Sequence, residues 1–125
     1  MEKWFLIAVG GAFGSVCRYG LSGLVSRTAN STFPWGTITV NILGCLLMGV
    51  LFRGFVHFSA LREEYRVAIL VGVLGGFTTF SSFGIDAFRL FNDGQWRHAA
   101  GYIVLTNVGC LVAVWIGYRV MEKVQ

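Results

Sequence analysis

Hydrophobic residues run in four long stretches, at positions 4–25, 35–58, 67–91 and 98–121, separated by short polar clusters. Each stretch is close to the ~20 residues an α-helix needs to cross a bilayer, so the pattern predicts four membrane-spanning helices. The separators carry Arg27, Asn30, Ser31 and Pro34, then Arg62, Glu63, Glu64 and Arg66, then Asn92, Asp93 and Gly94. These connections are too short for a further domain, which makes residues 1–125 a single all-α transmembrane domain. Trp4, Trp35, Tyr65, Trp96 and Tyr118 fall near the predicted ends, where amphipathic rings prefer the headgroup level.

Composition agrees with this reading. A chain of 125 residues that is 55% hydrophobic, with mean hydropathy +0.67, is too apolar for a soluble domain of that size. The net charge of +4 gathers at segment ends, as flanking Lys and Arg do, and does not form a nucleic-acid-binding surface. The first stretch is too long for a signal-peptide core and lacks a small-residue cleavage site, so it reads as a retained helix.

The third stretch departs most from an ordinary membrane anchor. GGFTTFSSF, positions 75–83, places two glycines, four hydroxyls and three phenylalanines where leucine and valine are expected. Adjacent glycines followed by Thr78 and Thr79 weaken the helix, which predicts either a glycine kink rescued by threonine or an unwound turn. An unwound turn frees carbonyls that must find partners in a dry interior, and a small cation held by several of them is one solution. Phe77, Phe80 and Phe83, spaced by three, are expected on one side of the helix. Ring edges carry the positive end of the aromatic quadrupole and can line an anion path; packing is the plainer use of such a stripe.

Other polar residues lie inside the remaining stretches. Arg18 is the only charge deep in the first, and it either lines water or snorkels to the interface. Thr37, Thr39 and Asn41 bring donors into the second, and the Asn41 amide can bridge helices or donate N–H groups to an anion, a role in which Thr39 joins it. Tyr102 and Thr106 share a face of the fourth, beside Asn107. Cys17, Cys45 and Cys110 lie on three different stretches with no paired short spacing, so they read as packing residues. His57 and His98 lie at segment ends, where an interfacial role is expected.

Glycines recur at four-residue spacing as Gly10 and Gly14, Gly72 and Gly76, and Gly109, Ala113 and Gly117, predicting grooves for close helix packing. Four helices leave little room for a protein-lined pore, which favours an oligomer. Lys3, Arg62, Arg66, Arg119 and Lys123 oppose Arg27, Arg89 and Arg97, and with Arg53 and Arg18 added to their nearer sides the excess is about two residues. That bias permits either orientation.

The segments GGAFGSVCRYG, GTITVNILG and GGFTTFSSF, in this order and spacing, resemble the Fluc fluoride-channel family, small bacterial proteins also called CrcB, over essentially the whole chain. The resemblance implies a fluoride-selective channel of the inner membrane that exports fluoride passively. Its subunit has a broken third helix and pairs with an inverted copy in an antiparallel, dual-topology homodimer with two pores. By the same resemblance Phe80 and Phe83 meet fluoride edge-on, Asn41 is the amide donor near them, and Ser81, Ser82 and Thr106 form a polar track. Tyr102 lies in the pore wall, Arg18 is the vestibule arginine, and Gly75 and Thr78 offer carbonyls to a central structural sodium ion. Ser82 stands where the family usually has threonine, and Thr106 where some members have serine.

No nucleophile and base pair, phosphate loop or metal cluster is evident, so no enzyme activity is expected. A small multidrug exporter of dual topology wants an interior carboxylate, and the first helix has none. Asp86 lies late in the third stretch near Arg89, where an ion pair is expected. A structural subunit without transport activity is the remaining alternative.

Overall fold

A computed structural model describes residues 1–57 and 60–124. Within them the chain folds as α1 (Glu2–Ala29), α2 (Trp35–His57), α3 (Glu63–Val67), a π-helical stretch (Ala68–Leu74), α4 (Gly75–Phe77), α5 (Phe80–Asn92) and α6 (Trp96–Val124). The segments from α3 to α5 line up as one crossing, so four helical spans are long and apolar enough to cross a membrane. The first, third and fourth extend one to four residues beyond the predicted stretches at each end. Hydropathy marks the depth of the apolar layer, whereas Glu2, Arg27, Glu63 and Lys123 suit a helix that continues into the headgroups. The predicted end at Phe58 lies outside the described residues.

The outer surface is greasy. Trp4, Phe5, Phe13, Val71, Val104, Leu111 and Trp115 are all exposed, as lipid-facing side chains must be. Inside, glycine brings backbones together. A Cβ on Gly10 would stand 2.8 Å from the Ala68 carbonyl, one on Gly72 2.9 Å from the Ile7 carbonyl, and one on Gly76 2.5 Å from the Gly11 carbonyl. The predicted grooves on α1 and the third span therefore interlock with each other. Those on α6 receive α2, where Gly117 meets the Leu46 carbonyl, Gly49 meets the Val114 carbonyl and Gly109 meets the Ile42 side chain. Without a hydrophobic drive between helices in lipid, such close contact is the main source of association. The π stretch, which hydropathy does not signal, lies where α1 presses closest.

The third helix is broken. Thr78 (φ −86°, ψ 157°) and Thr79 (φ −150°, ψ 116°) are extended, so α4 ends and α5 restarts only after them. This settles the choice between kink and unwound turn in favour of the turn. It also divides the phenylalanine stripe. Phe77 is buried beside Gly44 of α2, whereas Phe80 beyond the break is 79% exposed, so the three rings do not share one side. Phe83 instead joins a core with Ile38, Ala87, Leu90, Ala99 and Tyr102.

Candidate functional site

Hydrogen bonding at the break explains why it holds. In a continuous helix the carbonyls of Gly75 and Thr78 would accept from the N–H groups of Thr79 and Ser82. Here the Thr79 N–H donates to Asn41 Oδ1 at 2.8 Å, and the Ser82 N–H donates to Thr79 Oγ1 at 3.1 Å. Asn41 Nδ2 in turn donates to the Thr79 carbonyl at 3.0 Å. The α2 amide thus clasps the extended residue at both of its backbone groups, and Thr79 caps α5 with its own hydroxyl. On the other side Arg18 Nε donates to the Gly76 carbonyl at 3.1 Å, with Ser15 Oγ at 3.5 Å. The Arg18 guanidinium is tied to the break, which is the physical answer to its depth in an apolar helix. The carbonyls of Gly75 and Thr78 are left without their helical donors. Such freed carbonyl oxygens fit a small hard cation.

Two cavities flank the break. The larger, about 580 Å³, is lined by Arg18, Ser22, Arg27, Thr37, Thr79 and Ser82. The smaller, about 300 Å³, is lined by Asn41, Thr79, Phe80, Phe83, Thr106 and Asn107, with Cys45, Thr78, Cys110 and Leu111, and no charged side chain reaches it. Thr79 belongs to both walls. The rings of Phe80 and Phe83 stand 5.2 Å apart at 40°. Thr106, only 6% exposed, lines this cavity, and its buried Oγ1 finds no protein partner. A buried hydroxyl left unmet costs about 1–3 kcal/mol, so it marks a place for a ligand. Asn107 Nδ2 donates to the Ile103 carbonyl at 2.7 Å.

Of the residues singled out in the sequence, Asn41, Phe80, Phe83 and Thr106 converge on the small cavity, and Arg18 and Ser82 on the large one. Ser81 is exposed, with its Oγ 3.2 Å from Thr79 Oγ1. Tyr102 is fully buried, stacked 5.2 Å behind Phe83 and edge-on to Phe33 at 5.8 Å. Its ring supports Phe83 from the core. Thr39 is not brought to the cluster; its Oγ1 donates to the Trp35 carbonyl at 2.8 Å, in a depression shared with Thr28 and Trp35. Asp86 does not pair with Arg89. Its Oδ2 accepts from Thr37 Oγ1 at 2.7 Å and from the Tyr102 hydroxyl at 3.4 Å, so the carboxylate turns to α2 and α6 although Arg89, one turn on, lines the same depression.

Two contributors carried weaker signals. Thr37 lies four residues before Asn41 and so shares its buried face, whereas Thr39 lies two before and does not. Thr79 was legible only as a helix weakener, since nothing local shows that its backbone would be held from α2.

A family model described as CrcB-like protein, Camphor Resistance (CrcB), matches residues 5–118. Among curated proteins, the chain is 44% identical over 124 residues to the Fluoride-specific ion channel FluC of Opitutus terrae, covering 94% of this chain and 91% of that one. It is 42% identical over 120 residues to the protein of that name from a Geobacter species, with 96% and 97% covered. The FluC of Methylobacillus flagellatus is 42% identical over 123 residues, with 98% and 96% covered. With matches of this extent running through all four spans and the break, the chain belongs to the CrcB-like family.

Proposed function

We propose that the chain is the subunit of a fluoride-selective channel, a multi-pass protein of the inner membrane that releases fluoride down its gradient and performs no chemical reaction. The reading rests above all on Thr106, which lines an uncharged cavity bordered by two phenylalanine rings and an amide and whose buried hydroxyl is unmet. Fluoride is small and strongly hydrated, so a selective path must replace its water with donors while staying too narrow for larger halides. The Thr106 hydroxyl, the second N–H of Asn41 Nδ2 and the ring edges of Phe80 and Phe83 supply that exchange. None carries a full charge, so the ion is not trapped. Arg18 and Arg27 raise the local anion concentration in the wider cavity, and the Thr79, Ser81 and Ser82 hydroxyls lead from it toward the rings.

The working unit in this reading is an antiparallel homodimer with two pores. Almost none of α1 is buried within one chain, and Phe80 projects outward, so both await cover. A second, inverted copy suits the weak charge bias of the sequence. The carbonyls of Gly75 and Thr78 would hold a sodium ion between the copies, where it would neutralise the oxygens freed by the break. The test is reconstitution in liposomes with a fluoride electrode and chloride controls. Rapid fluoride release with chloride retained is expected; equal release of both, or of neither, overturns the reading.

A further inference from the structure

The small cavity also contains sulfur. Cys45 on α2 and Cys110 on α6 both line it, on two helices that pack directly against each other. The pairing follows from how the two helices pack. Gly109 against Ile42, Gly49 against Val114 and Gly117 against Leu46 set a close parallel register that brings the turns carrying Cys45 and Cys110 face to face. Both side chains are half-buried free thiols, and Cys17 on α1 is not part of this wall.

We propose that Cys45 and Cys110 form a two-thiolate site for a soft divalent cation of the mercuric type, and that an ion held there closes the passage beside Phe80 and Phe83. The chemistry is balanced without an oxidant: two thiols release two protons, two sulfur–metal bonds form, and the bound unit is electrically neutral. Neutrality matters at this depth, because a net charge in an apolar wall would be costly. Thiolates select soft ions. Among the described residues no third His, Cys, Asp or Glu joins them, which disfavours zinc with its four-ligand shell and favours a linear two-coordinate ion. Proton release makes binding tighter as pH rises.

The closing effect rests on the channel reading above; the binding site does not, so two readouts keep them apart. The purified protein is titrated with mercuric acetate in chloride-free buffer, following the thiolate-to-metal absorption band and the intact mass. One ion per chain is expected, retained in Cys17→Ser and lost in both Cys45→Ser and Cys110→Ser, with Cys→Ala variants as a second pair. Retention of the ion by either Cys45→Ser or Cys110→Ser, or no binding by the wild type, overturns the site. In liposomes one equivalent should cut fluoride efflux at least ~tenfold relative to each variant's own untreated rate, reversibly with excess dithiol, in the wild type and Cys17→Ser only. Efflux that continues unchanged with the metal bound refutes closure. Untreated protein that passes no fluoride refutes the channel reading, and the absorption titration still decides the site.

Discussion

The two cavities beside the break are adjacent, share Thr79 and differ in nearly everything else. The larger is wide and cationic, with Arg18 and Arg27 in its wall; the smaller is about half its volume, with phenylalanine, hydroxyl and amide in place of charge. A charged wall concentrates anions but would hold them if it continued inward, whereas a neutral wall passes an ion only if its donors replace water. In the proposed channel the contrast assigns attraction and selection to separate places, and the broken helix is what lets one chain build both cavities. Asn41 supports that division, because its clasp on Thr79 keeps the α4 and α5 segments apart.

Removing the clasp should therefore erase the contrast altogether. Asn41→Leu leaves the Thr79 N–H and carbonyl without partners, at about 1–3 kcal/mol each, and unfolding in detergent should show a loss of that order together with loss of flux. A variant as stable as the wild type would mean that the break is held elsewhere. Arg18→Gln keeps a donor for Gly76 and removes the charge, so fluoride flux should fall about tenfold at low ionic strength and much less at high salt, read by electrode at two salt concentrations. A drop independent of salt would assign Arg18 to structure alone.

Thr106→Val tests the neutral side. Flux should drop several-fold while stability holds or rises by up to ~1 kcal/mol, because an unmet buried hydroxyl disappears. A marked loss of stability would instead reveal a structural bond. The smallest effect belongs to Thr39→Ala, with flux unchanged and stability within ~0.5 kcal/mol by thermal unfolding, since its hydroxyl only returns to the Trp35 carbonyl.

How much of this the sequence discloses differs between the spans and the site. The four crossings and the glycine grooves follow from local pattern, because hydropathy and small-residue spacing act within one helix. The break is half legible: Gly75, Gly76, Thr78 and Thr79 announce weakness, but what turns weakness into an extended segment is an amide 38 positions away on α2. Asp86 makes the same point. A near neighbour in sequence, Arg89, is the obvious partner, yet the carboxylate meets Thr37 and Tyr102, which only the packing of α2 and α6 brings to it. Likewise the period of Phe77, Phe80 and Phe83 holds only if the helix continues, and it does not.

The central claim is that the ring edges beside Thr106 form the selective anion path. Phe80 is exposed within the subunit, so Phe80→Ile leaves the fold of the chain undisturbed, and parallel fluoride and chloride efflux from liposomes bearing wild type or variant tests the claim most directly. Wild type should release fluoride alone, and the variant should lose roughly a hundredfold in fluoride rate, equivalent to ~2.7 kcal/mol, while remaining assembled. A variant that passes fluoride at the wild-type rate would contradict the account.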